Sequence, residues 1–99
     1  MRRKTYRADE LRAGRTVFIV TRILLDHAGA CRHEVAEYLI ASTREPQPQP
    51  GQAHPYRMHP DVARYACSVT DCWRTRRAAL REAARRQADA DCQISRRSA

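Results

Sequence analysis

Two apolar runs in the first half of the chain predict extended strands. The run from Thr16 to Leu24 is rich in β-branched and aromatic residues, which pack well on a pleated surface and lose side-chain freedom in a helix. A second run, from Arg32 to Ala41, has similar residues, and Asp26-His27-Ala28-Gly29 between the runs has the composition of a turn. The sequence therefore predicts an antiparallel hairpin of residues 16–25 and 31–42.

Neither face of the first predicted strand is polar. Side chains alternate between the two faces of a strand, which puts Val17 and Ile19 on one face and Phe18 and Val20 on the other. A lone hairpin is only marginally stable in water, so both apolar faces need a cover. One helix covers one face, which makes a homodimer or a docked partner an attractive cover for the other.

A long helix is predicted in the second half, after a proline-rich loop over residues 44–58. Pro60 suits the first position of a helix, and an apolar seam at helical spacing follows it. One helix over about 60–90 explains that seam, but it would be roughly 45 Å long, which exceeds the width of a compact domain of this size. The helix therefore either protrudes or breaks near Thr70-Asp71. The seam consists of Val62, Val69, Trp73 and Leu80.

The two ends of the chain are simpler. A basic arm over residues 1–8 precedes a short helical turn, which Asp9 can cap and Gly14 can end, since glycine takes positive φ at little cost. Residues 91–99 have no clear pattern and are expected to fray. The elements together predict one small α+β domain over residues 1–99, in which the hairpin packs on the C-terminal helix.

Charge adds more to this picture than the apolar content does. The formal net charge is +8, the sequence pI is about 10.2, and Lys4 is the only lysine among 19 basic residues. Arginine offers a planar fork of donors to phosphate and carboxylate groups, so an acidic partner such as nucleic acid is expected. A genome that prefers arginine codons explains the shortage of lysine equally well.

The clearest candidate surface is a row of arginines on the predicted helix. Spacings of 3, 4 and 4 residues place them on one side of it, where they can follow a phosphate backbone or face an acidic protein surface. The alternative is a solvated helix face on which Glu82 pairs with a nearby Arg85 or Arg86. The row consists of Arg74, Arg77, Arg81 and Arg85.

Further candidates lie outside the row. The arm can tether the chain to a polyanion, and Tyr56 with Arg57 places an aromatic beside an arginine ahead of the helix. Arg76 lies close to the seam and is expected to stack on an aromatic ring or to pair with Glu34 or Glu37. The candidate residues of the arm are Arg2, Arg3, Lys4 and Arg7.

Neither metal binding nor catalysis is expected. Cys67 and Cys72 would point about 140° apart on a continuous helix, so they would not share an ion. Cys31 near His33 lacks an oxyanion site, and His33-Glu34 lacks the second histidine of the zinc-protease helix signature. The sequence therefore predicts no enzyme, no metal and no cofactor.

Two functions fit these observations. The first is a non-catalytic protein that binds nucleic acid or a nucleoprotein complex through the arginine-rich helix face. The second is an inhibitor or adaptor of mobile-element type, such as an anti-CRISPR or anti-restriction protein, that blocks a host nucleic-acid-processing complex. No run of about 18 apolar residues is present and no apolar segment follows the basic start, so a cytoplasmic location is expected.

Overall fold

A three-stranded sheet with helices on both faces forms the centre of the molecule. The computed structural model describes residues 4–42, 44 and 56–98, and it shows the α+β fold that the sequence predicts. None of the helices in these ranges combines the length and the apolar character needed to cross a membrane. The elements are an N-terminal 3-10 turn (Ala8–Glu10), β1 (Thr16–Leu24), β2 (Cys31–Ile40), β3 (Tyr56–Met58), α1 (Pro60–Val69) and α2 (Arg76–Ser98).

The predicted hairpin is confirmed. β1 and β2 pair in antiparallel register along their whole length, close to the predicted boundaries. The Asp26 carboxylate closes the turn between them by accepting hydrogen bonds from the N–H groups of Ala28 at 2.9 Å and Ala30 at 3.0 Å. Gly29 supplies a positive φ of 99°. The turn thus depends on the two residue types that identify it in the sequence.

A third strand lies in the predicted proline-rich loop. β3 runs parallel to the end of β2, with Arg57 opposite Leu39, and Met58 at its end is buried. The prediction of a loop over 44–58 is therefore wrong for its last part. A strand of 3 residues gives too short a pattern to be recognised in a sequence.

The single helix predicted over 60–90 is two helices. α1 ends before Thr70, which is extended with φ −152° and ψ 171°. α2 starts after Thr75, whose Oγ1 accepts a hydrogen bond from the N–H of Ala78 at 3.2 Å and so caps the new helix. Of the two predicted alternatives, a protruding helix or a break near Thr70-Asp71, the structure shows the break. α2 then continues into residues 91–98, for which the sequence predicts a frayed tail.

The link between the two helices joins the sheet. Trp73 in this link and Phe18 of β1 exchange two backbone hydrogen bonds, of 2.7 and 3.0 Å. On the other side of the link, Lys4 and Tyr6 bond to the backbone of the residues that flank Trp73, at 2.9 and 2.8 Å. The backbone N–H and C=O groups of the link, which have no partners within a helix, therefore form hydrogen bonds of the kind found in a sheet.

Because the helix breaks, one chain covers both faces of its own sheet. On one face, α1 and the N-terminal turn pack on β1 and β2; on the other face, α2 does so. The cover that the sequence assigns to a homodimer or a docked partner is supplied by α1, which removes the burial argument for a second copy. The first cluster is Leu11, Val17, Ile19, Ile40, Met58, Ala63 and Cys72, and the second is Val20, Ala79 and Ala83.

The predicted apolar seam does not form. Val62, Val69 and Leu80 are 46%, 65% and 51% exposed, because the break ends the continuous helical register that would align them. The fully buried positions of the two helices are instead alanines, Ala63 in α1 and Ala79 in α2. Alanine lets a helix lie close to the sheet.

Substitutions in α2 test which of its faces is buried. Ala79→Leu forces extra methylene groups against β1 and is expected to lower the free energy of unfolding by about 1–3 kcal/mol. Leu80→Ala removes an exposed side chain from a helix and is expected to change that free energy by less than about 0.5 kcal/mol. Urea unfolding followed by circular dichroism measures both. A large loss of unfolding free energy for Leu80→Ala, with none for Ala79→Leu, would show that the predicted apolar seam is buried after all.

Candidate basic binding surface

Arg74 does not lie in a helical row. It precedes α2, its side chain is only 13% exposed, and its guanidinium donates to the carboxylate of Glu10. The same guanidinium lies over the ring of Tyr6, 4.5 Å from the centroid. The predicted position of Arg74 is therefore wrong, since this side chain holds the N-terminal segment against the link between the helices.

Glu10 is fixed as a carboxylate by its surroundings. The backbone N–H of Arg7 donates to it at 2.9 Å, and this bond, together with the one from Arg74, holds the pKa of Glu10 below its ordinary value. Glu10 also closes the N-terminal turn, a role that the sequence assigns to Asp9. At neutral pH the Glu10 charge therefore offsets that of Arg74.

Arg85 is exposed but already has acidic partners. Its Nε lies 2.6 Å from Glu82, and its Nη1 lies 3.1 Å from Asp89. The bond to Glu82 is the main reason that the pKa of Arg85 is raised. Glu82 also reaches Arg86, at 3.6 Å. At this end of the row the alternative interpretation, a solvated face with local ion pairs, describes the structure.

Arg77 and Arg81 differ from these two arginines. Both are exposed on the side of α2 that faces away from the sheet, and neither has a hydrogen bond or an ion pair within the described ranges. Lys4 is exposed as well and lines a concavity together with Arg81. We call Lys4, Arg77 and Arg81 the basic surface. It contains two of the four arginines of the predicted row.

The other candidates lie elsewhere. Arg2 and Arg3 fall outside the described residues, and Arg7 is exposed near Asp9 at 4.0 Å. β3 lies at the opposite edge of the sheet from Lys4, so Tyr56 and Arg57 are separate from the basic surface. Both of these residues also make contacts within the chain, among them a ring contact of Tyr56 with Tyr38 at 6.0 Å.

The structural role expected for Arg76 is confirmed. Its guanidinium bonds to the carboxylate of Glu37 on β2 at 2.7 Å. It also lies over the ring of Phe18 on β1, 5.3 Å from the centroid. Arg76 therefore ties the first turn of α2 to both long strands of the sheet.

The helix break also changes the relation between two cysteines. Cys67 and Cys72 were expected to point apart, but both pack in the cluster beneath α1, where Cys72 is fully buried. Burial, and next the neighbouring Cys67 thiol, raise the pKa of Cys72 to about 12, so it is a neutral thiol at physiological pH. In the described ranges no three His, Cys, Asp or Glu side chains are placed to hold a metal ion.

The sequence places Trp73 in the predicted apolar seam and does not indicate its place beside the basic surface. Its side chain is only partly buried and lines the same concavity as Lys4 and Arg81. The break near Thr70 is the signal that could have indicated this, since a residue in a link is not fixed on a helix face.

Comparison with protein families, curated proteins and solved structures finds no match for the chain.

The ion pair between Glu10 and Arg74 predicts an acid-sensitive part of the stability. A carboxylate whose pKa is lowered by folding stabilises the native state above its unfolded pKa, and this contribution is lost as the pH falls through the lowered value. Glu10→Gln is therefore expected to lower the urea midpoint near neutral pH, and the gap to the natural chain should close in acid. Urea unfolding at about pH 7 and about pH 3 measures this gap.

Glu34→Gln provides the control for that experiment. The Glu34 carboxylate pairs with Arg32 at 2.8 Å on an exposed part of the sheet, where an ion pair contributes little to stability. The urea midpoint of the Glu34→Gln variant is expected to equal that of the natural chain at both pH values. A Glu10→Gln midpoint equal to that of the natural chain near neutral pH would contradict the role given to Glu10.

Proposed function

We propose that the chain is a non-catalytic nucleic-acid-binding protein whose basic surface contacts the phosphate backbone. The observation that supports it is the contrast among the arginines around α2. Arg74 and Arg85 are bound by carboxylates of the same chain, whereas Arg77 and Arg81 are exposed and unpaired within the described ranges. In a chain of net charge +8, two adjacent unpaired guanidinium groups are available to an external anion.

The N-terminal arm supports the same proposal. Lys4 is anchored by its backbone carbonyl, which accepts a hydrogen bond from the N–H of Arg74 at 2.9 Å. Arg2 and Arg3 precede this anchor in the sequence. A basic arm beside a binding face adds phosphate contacts.

Contacts of this kind position a protein on nucleic acid without reading its sequence. We therefore expect weak sequence specificity and a strong dependence of affinity on salt. The proposal requires no catalytic group, metal or cofactor, and it includes the cytoplasmic location that the sequence favours.

One observation favours a second candidate, a protein-binding inhibitor or adaptor of a host nucleic-acid-processing complex. Leu80 is 51% exposed and, with Ala84, forms a largely apolar groove beside Arg76, Arg77 and Arg81. An apolar centre with arginines at its border is typical of a protein interface. An acidic protein surface would then be the ligand, and Leu80 would carry much of the affinity.

Replacing Arg77 and Arg81 together with glutamine tests the first proposal. Gel-shift titrations with a generic duplex and a single strand at two salt concentrations give the affinity and its salt dependence. The double variant is expected to bind about tenfold or more weakly at low salt. The slope of log affinity against log salt should fall by about 1.8 for duplex and about 1.4 for single strand, since each phosphate contact contributes about 0.9 or 0.7.

Arg32→Gln combined with Arg64→Gln is the matched control. It removes the same charge, but these arginines pair with Glu34 at 2.8 Å and with Asp61 at 2.9 Å. Its affinity should fall by less than about threefold. No shift of either nucleic acid by the natural chain at low salt would contradict the proposed function. An equal loss in the two double variants would contradict its assignment to the basic surface.

A further inference from the structure

A small concavity lies between the N-terminal segment and the start of α2, and we call it the Trp73 notch. Its volume is about 200 Å³. Its lining combines one aromatic residue with an alanine and several charged residues. The notch is lined by Lys4, Trp73, Ala78, Arg81, Glu82 and Arg85.

The position of Trp73 is set by its backbone. Its two hydrogen bonds with Phe18, and its bridge to Thr5, hold residue 73 between β1 and the N-terminal segment. Trp73 is partly buried, packs against the cluster beneath α2 and is one of the residues that line the notch. Its Nε1–H has no hydrogen-bond acceptor within the described ranges, although a buried indole N–H ordinarily finds one.

The rim of the notch is positively charged. Lys4 and Arg81 are exposed and have no acidic partner in the described part of the chain. The one carboxylate that lines the notch, that of Glu82, is bound by Arg85 at 2.6 Å and lies 3.6 Å from Arg86. The charge that the notch presents to a ligand therefore comes from the lysine and the arginine at its rim.

We propose that the Trp73 notch takes one unpaired nucleotide, and that the basic surface therefore binds single strands in preference to duplex. The base lies against the ring of Trp73 and the methyl group of Ala78, and its phosphate lies between Lys4 and Arg81. This inference rests on the proposed function.

The accessibility of the bases favours a single strand over a duplex at this site. In a duplex the bases are stacked and paired inside the helix, so only phosphates and groove edges reach a protein surface. Bases of a single strand are free to stack on aromatic side chains, and this stacking accepts any base. One stacked base strengthens binding roughly fivefold to a hundredfold, which sets the preference expected here.

Tryptophan fluorescence tests the inference directly, because Trp73 is the only tryptophan in the chain. The natural chain is titrated at low salt with a short oligothymidylate and with a hairpin duplex of equal charge. Oligothymidylate is expected to quench the emission to saturation and to bind roughly fivefold or more tightly than duplex. Duplex bound through phosphates alone is expected to leave the emission almost unchanged.

Ala78→Leu tests the inference without a substitution of Trp73 itself. It fills the notch while keeping a good helix former at that position, so the single-strand preference should disappear and duplex binding should remain. Ala84→Leu is the matched control, because Ala84 lines the groove on the other flank of α2. Circular dichroism checks whether both variants fold.

The outcomes separate this inference from the function on which it depends. Equal binding of single strand and duplex without quenching overturns the notch but leaves nucleic-acid binding in place. A preference that survives Ala78→Leu, or that is lost equally in Ala84→Leu, also overturns the notch. No binding of either nucleic acid at low salt overturns both.

Discussion

The two backbone hydrogen bonds between Trp73 and Phe18 are the interaction on which the rest of the structure depends. They hold the link between the helices in an extended form against β1, and the chain enters α2 only after Thr75. Because of this, α1 and α2 can lie on opposite faces of the sheet. On its other side the same link forms backbone hydrogen bonds with Lys4 and Tyr6, which places the N-terminal segment beside α2.

This arrangement explains how a chain with few large apolar residues forms a core on both faces of a sheet. Each face is covered at short range by small residues, Ala63 from α1 and Ala79 from α2, both fully buried. Close approach brings dispersion contacts to the larger side chains of β1 without extra apolar volume from the helices. The consequence is that larger helical residues such as Val69 and Leu80 lie outside, at 65% and 51% exposure.

Features set by nearby residues could be predicted from the sequence. The hairpin follows from its β-branched residues, and its turn from Asp26 and Gly29. The length of the predicted helix indicates that it either protrudes or breaks, and the structure shows that it breaks. The bond between Glu10 and Arg74 could not be predicted in this way, since its residues are 64 positions apart and only the fold brings them together. The same limit applies to β3, whose 3 residues gain their strand geometry from the end of β2.

The unpaired state of Arg77 and Arg81 could be predicted from nearby residues in the sequence, although the spacing of the four arginines does not indicate it. Neither has an acidic residue three or four positions away, whereas Arg85 has Glu82 and Asp89 at those distances. Arginines four apart on a helix repel each other, at a cost of about 0.2–0.5 kcal/mol per pair. An anion that binds both removes this repulsion, so it gains more here than at a face of alternating charge. The position of acidic neighbours therefore indicates which arginines are unpaired better than a count of arginines does.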